Sequence, residues 1–262
     1  MKRTLLSLPP EGLPADVREF IGSASVFDSS CSPEAKVFFI DRDGGYYLKR
    51  AMSGTLAREA EMTSYFHSRR LGAEVVLYRA EGEFDYFLTR AVKGEDCTHA
   101  SYLAEPERLA ELLGERLRAL HELDTVGCPV TDRVGEYLAL ADANYISGNY
   151  DTSHFPDSFG YESAESARLA LERGRGLLKN EVLIHGDYCL PNVMLDGWRF
   201  SGFIDVDHAG IGDRHVDLFW GAWTLAFNTG TDRYKDRFFD AYGRDNINEE
   251  ALLTVAAAEV FG

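Results

Sequence analysis

The sequence is poor in the features that send a chain into or across a membrane. Lys2 and Arg3 stand near its start without an apolar segment behind them, and no run of about eighteen apolar residues occurs, so neither secretion nor a membrane span is expected. Cysteine is scarce. Cys31, Cys97, Cys128 and Cys189 stand far apart, form no CxxC pair and do not cluster with the seven histidines, which argues against a disulfide framework or a zinc site and for free thiols in a reducing cytoplasm. Basic residues are outnumbered, 27 Lys and Arg against 43 Asp and Glu, for a net charge of -16. With no basic stripe interleaved with aromatics, nucleic acid and anionic membrane surfaces are not expected partners, whereas a small cationic molecule would be attracted. Repeats and low-complexity tracts are missing too.

What is present is enough for an ordered globular protein. At 262 residues and 45% hydrophobic composition, the chain can bury one large core or two lobes. Apolar β-formers at 35–40 and 46–49 flank Asp41-Arg42-Asp43-Gly44-Gly45, the turn chemistry of a hairpin. A helical stretch over 55–69 follows, then strands over 74–80 and 86–90, so the first ninety or so residues read as a small antiparallel sheet with one helix. Beyond Gly94, Leu109, Leu112, Leu113, Leu117 and Leu120 share a helical face behind Pro106. Residues 127–160 read as irregular, and 165–178, 218–227, 232–242 and 249–260 as helices. Short apolar runs at 182–184, 193–195 and 200–204 suit brief strands. The expected class is α+β with two lobes: residues 1–92 as a nucleotide-binding lobe, a hinge near 89–94, and 93–262 as a mainly helical catalytic and substrate-binding lobe.

The segment that carries chemistry is His185-Gly186-Asp187-Tyr188-Cys189-Leu190-Pro191-Asn192, followed by Gly202-Phe203-Ile204-Asp205. An Asp, an Asn five positions on, and a second Asp beyond a short hairpin is the spacing used in phosphoryl transfer. That reaction needs a positioned nucleophile and neutralised charge. Asp187 suits the base that takes the acceptor hydroxyl's proton, and Asn192 and Asp205 offer hard oxygen ligands for Mg²⁺. His-Gly-Asp alone would equally suit an ordinary turn; the partners at these spacings favour the kinase reading. Upstream, Lys49 ends a strand and Glu59 follows in the next helix, the pair by which kinases hold the α- and β-phosphates of ATP. Between the first strands a GxGxxG loop is missing, and Asp28-Ser29-Ser30-Cys31-Ser32-Pro33 stands there; small hydroxyl residues such as Ser30 and Ser32 could cover phosphates instead.

These residues, with Gly210 and Asp213 through Asp217-Leu218, resemble the signature of the aminoglycoside 3'-phosphotransferases, or kanamycin kinases, and the likeness runs over nearly the whole chain. The resemblance implies a protein-kinase-like fold and Asp187 as catalytic base. It implies Asn192 and Asp205 as magnesium ligands, Lys49 and Glu59 on the phosphates, and backbone groups from Thr89 to Ala91 on adenine. It also implies an acidic pocket for a polycationic antibiotic, to which Glu259 and Phe261 at the C-terminus carry over, with Asp151 and Asp236 as further amine contacts. The chain departs from the family at Ala258, where an acid is common, at Gly262, which extends the terminus, and at Val206-Asp207-His208, where many members read Leu-Gly-Arg. The expected activity is transfer of the γ-phosphoryl of ATP to an aminoglycoside hydroxyl, giving antibiotic resistance, by a cytoplasmic monomer or weak dimer. A sugar, a choline-like alcohol or a macrolide as acceptor, or a pseudokinase that only binds nucleotide, remain as alternatives.

Overall fold

The computed structural model describes residues 3–7, 12–31, 33, 35–151 and 159–262. Among the described residues no helix is long and apolar enough to cross a membrane. The chain divides into two compact units: residues up to Lys93 together with Ser201–Asp207, and Gly94–Phe200 together with His208–Gly262. The segment that carries Asp205 therefore belongs to the first unit, whereas a boundary at 92–93 assigns it to the second.

The first unit contains β1 (Thr4–Leu5), α1 (Ala15–Ile21), β2 (Ser25–Asp28), β3 (Ala35–Asp41), β4 (Tyr46–Met52), α2 (Ala57–Ser68), β5 (Val75–Glu81) and β6 (Phe84–Arg90). The strands form one antiparallel sheet in the order β1-β2-β3-β4-β6-β5. Asp43, Gly44 and Gly45, at φ 45°, 95° and 100°, make the β3–β4 turn in the left-handed region that the Asp-Gly-Gly sequence favours. Alternation on β4 then decides which side chain serves which face. Tyr46 and Leu48 join Val26, Ile40 and Leu88 in a buried cluster with Val17 and Ile21 of α1. Ala51, on the other face, packs on Leu56 and Ala60 at α2. Lys49 shares the face of Ala51, so the pleat itself turns it toward α2. The expected single helix is corrected to two: α1 spans only two turns and presents two buried apolar residues, Val17 and Ile21, too brief a pattern for periodicity to register.

Asp85 secures the entry to α2. Its side chain is buried, and Oδ2 accepts from the amides of Gly54 at 2.9 Å and Leu56 at 3.0 Å, replacing the side-chain cap that α2 lacks.

The second unit runs through β7 (Glu95–Asp96), α3 (Ala100–Leu103), α4 (Pro106–His121), α5 (Arg133–Ser147), α6 (Ala164–Gly174), β8 (Val182–Ile184), β9 (Val193–Asp196), the start of β10 (Arg199–Phe203), β11 (Gly210–Gly212), α7 (Arg214–Thr229), α8 (Lys235–Tyr242) and α9 (Glu249–Glu259). Two short antiparallel ladders, β8 with β11 and β7 with β9, bracket the loop 185–192. Pro106 takes the first turn of α4, whose Leu109, Leu113, Leu117 and Leu120 are buried while Leu112 lies at the rim. The helix α5 overturns the expectation that 127–160 is irregular. Asp132 caps it through the amide of Gly135 at 2.9 Å, Gly148 ends it in the left-handed conformation, and Val134 and Ala141 are its buried residues. Its Gly, Asn, Asp and Ser content hid a helix whose apolar face is narrow and supplemented by the half-buried Tyr137 and Leu138.

Candidate active site

The candidate residues fall into two clusters, one in each unit. In the first, Lys49 Nζ donates to Glu59 Oε1 at 2.6 Å and to Asp205 Oδ1. Glu59 is buried and Lys49 mostly so, with side-chain exposures of 7% and 22%. Burial acts to lower the Lys49 pKa, but the charges of Asp205 and Glu59 outweigh it and hold the ammonium well above its usual value. Asp205 adopts φ 55°, a conformation uncommon outside glycine, so its carboxylate is presented by a backbone turned against its preference. Burial pushes the Glu59 carboxyl up to about 7 against the Lys49 charge, and the charges of Asp205 and Asp207 add to the rise.

The other nucleotide-side expectations fare unevenly. The Ser30 hydroxyl accepts from the Val37 amide at 3.0 Å and the Ser30 amide donates to Asp28 at 2.9 Å, so Ser30 braces the β2–β3 loop from within. Ser32 lies outside the described residues. Thr89 pairs with Tyr47 and Val75 in the sheet, and the Ala91 amide donates to the Gly45 carbonyl at 3.0 Å. The adenine donor expected at Ala91 is thus engaged by the β3–β4 turn in this structure.

The second cluster is the loop 185–192. Asp217, fully buried in the first turn of α7, accepts from the His185 amide through Oδ2 and the Gly186 amide through Oδ1, both at 2.7 Å. His121 Nε2 lies 3.1 Å from the same Oδ2, and its Nδ1 lies 2.9 Å from the Tyr242 hydroxyl. Gly186 has φ 82°, and a Cβ there would sit 2.1 Å from the His208 carbonyl oxygen, so only glycine fits. Downstream, the Leu190 amide donates to Thr224 Oγ1 on α7 at 3.2 Å, and the Tyr188 hydroxyl to the Leu113 carbonyl at 2.8 Å. The loop is held at both ends, and Asp187 stands between them. Asn192 Nδ2 donates to Asp187 Oδ2 at 2.7 Å and to its carbonyl at 3.0 Å, which orients the carboxylate. Because the amide nitrogen is spent on Asp187, the Asn192 oxygen is the atom available to a cation, a hard oxygen of the kind Mg²⁺ takes. Burial and the neighbouring Asp187 carboxylate push the Cys189 thiol up, so beside the base it stays neutral.

Glu259 belongs to the same unit. Its Oε1 accepts from the Tyr137 hydroxyl at 2.7 Å and from Trp220 Nε1 at 3.0 Å. Burial pushes its carboxyl up to about 7 against those two hydrogen bonds, and the Asp187 charge adds to the rise. The remaining expected substrate contacts are not gathered with it. Phe261 is fully buried, edge-on to Tyr145 and Tyr150 at 5.3 and 5.4 Å, and its carbonyl accepts from Asn144 at 2.8 Å; it anchors the terminus as core and is not presented to a ligand. Asp236 is exposed and paired with Arg244 at 3.1 Å. Asp151 is exposed just before residues 152–158, which lie outside the described residues. Sequence reasoning gave no role to Asp217, His121, Tyr137 or Trp220. For Asp217 a signal existed: a carboxylate between Val216 and Leu218 on an apolar helix is buried only if donors meet it.

Comparison with known proteins gives a consistent picture. Residues 24–253 match the phosphotransferase enzyme family, APH. The chain is 48% identical over 252 residues to a probable aminoglycoside 3'-phosphotransferase of Lactococcus lactis subsp. lactis, covering 96% of each chain. It is 33% identical over 199 residues to an aminoglycoside 3'-phosphotransferase of Niallia circulans, covering 76% of this chain and 75% of the relative. Among solved structures, an aminoglycoside 3'-phosphotransferase of type VIII superposes with a TM-score of 0.76 at 24% identity, covering 94% of this chain and 97% of the other, a likeness of fold. An aminoglycoside phosphotransferase from Streptomyces rimosus, in complex with ADP and streptomycin, gives a TM-score of 0.67 at 25% identity, covering 86% and 90%.

Proposed function

The chain belongs to the phosphotransferase enzyme family, and from this premise we propose that it is an aminoglycoside 3'-phosphotransferase, using Mg-ATP in the cytoplasm to phosphorylate a cationic antibiotic and so confer resistance. The observation that carries this reading is the loop 185–192, in which Asn192 orients the Asp187 carboxylate while Asp217 fixes the preceding amides. Two relatives named for that activity, one of them 48% identical, support the acceptor class.

Asp187 takes the proton of the acceptor hydroxyl as its oxygen bonds to the γ-phosphorus; the bond from phosphorus to the bridging oxygen breaks, and the electron pair leaves with ADP. Lys49, kept charged by Asp205 and Glu59, neutralises the α- and β-phosphate oxygens. The Asn192 oxygen and the Asp205 carboxylate would hold Mg²⁺, which when bound offsets phosphate charge. Glu259 supplies a carboxylate for the acceptor's amines.

The test is an ADP-release assay with Mg-ATP across kanamycin, neomycin, gentamicin, a macrolide and simple alcohols, run beside Asp187→Asn. Turnover is expected with the aminoglycosides, falling at least about a hundredfold in the variant. Turnover with the macrolide or alcohols alone would reject the acceptor, and an unimpaired variant would reject the base.

A further inference from the structure

Helix α7 presents aromatic rings that the transfer reaction does not require. Trp220 donates its indole N–H to Glu259. Trp223 meets Trp220 edge-on with centroids 5.3 Å apart, and Phe227 stacks on Trp223 at 5.0 Å with ring planes 12° apart. Positions 220, 223 and 227 share one face of a helix. The strip is not core: both indoles are only partly buried, and Phe227 is 71% exposed. Thr224 belongs to the same stretch and accepts from the Leu190 amide, so the strip borders the loop that carries Asp187. One end of the strip is therefore the Glu259 carboxylate, which feels the Asp187 charge, and the other opens to solvent.

A carboxylate and an indole face attract the same kind of group. The ring quadrupole draws a cation placed over it within about 6 Å, and tryptophan does so best of the aromatic residues. A neutral molecule gains from neither. We propose that Trp220 and Trp223 form an aromatic wall of the acceptor subsite, receiving an ammonium-bearing ring of the acceptor by cation–π contact while Glu259 supplies the opposite charge. This rests on the aminoglycoside-kinase reading and extends it from charge to shape: the acceptor is held by ring faces as well as by acids, and Trp223 is a residue that sets specificity.

Trp223→Leu keeps apolar bulk but removes the π face, and Trp223→Phe keeps a face. With kanamycin as acceptor, Trp223→Leu is expected to raise KM about tenfold, from a contact of the usual cation–π strength, with KM for ATP and the melting temperature unchanged. Trp223→Phe should restore most of the loss. An acceptor KM within about twofold of wild type in Trp223→Leu, or a Phe variant as impaired as the Leu variant, overturns the wall. If the wild type phosphorylates no aminoglycoside, the functional reading itself fails, and the wall is then judged by calorimetric titration of kanamycin. Weaker binding to Trp223→Leu than to wild type upholds it, and equal or undetectable binding to both overturns it.

Discussion

The proposed amine contact at Glu259 makes acceptor binding depend on pH. With its carboxyl pushed up to about 7 by burial, protonation proceeds as pH falls through that value and removes the negative charge that an amine needs. KM for an aminoglycoside should therefore rise as pH is lowered from about 8 to about 6, the change centring near the carboxyl's own pKa. In Glu259→Gln the KM should already be high at the upper pH and lose most of this dependence, which separates the carboxyl from titration of the antibiotic's amines. Steady-state kinetics on both proteins across that range checks it. Motif spacing pointed to Asp187, whereas Glu259 was reached only through the family resemblance of the C-terminus. The sequence could not reveal that Phe261 is buried against Tyr145 and Tyr150, since an aromatic near a terminus looks the same whether it faces ligand or core.

At the scale of elements, each key side chain depends on how its strand or helix is started. Asp85 holds the amides that open α2, and α2 carries Glu59 to Lys49. Asp85→Ala should cost about 1–3 kcal/mol, the usual loss when buried donors are left without an acceptor, read as a lower urea midpoint at unchanged slope. KM for ATP should rise with it, because Glu59 loses its fixed approach. The strands over 35–41 and 46–52 and the helix over 57–68 were legible, as period-two and period-3.6 patterns separated by turn residues. Helix α5 was not. Its identity is decided by tertiary partners, Tyr137 on Glu259 and Asn144 on the Phe261 carbonyl, which lie more than a hundred positions away in sequence.

For the whole molecule, the net charge of -16 is a long-range field for a polycation. Raising ionic strength from about 0.01 M to about 1 M shortens the screening length from about 30 Å to about 3 Å. Over that range kcat/KM for kanamycin should fall at least about tenfold, whereas KM for Mg-ATP should not rise in parallel; initial rates in potassium chloride decide this. The α+β class was legible from the change of pattern near Gly94. That Ser201–Asp207 joins the first unit was not, because contiguity in sequence gives no hint of a return crossing. This crossing bears on how such a chain can be inherited. A fragment ending at Lys93 would keep Lys49 and Glu59 yet forfeit Asp205, so no single cut yields a self-sufficient piece, and recombination could not trade either unit as an independent module.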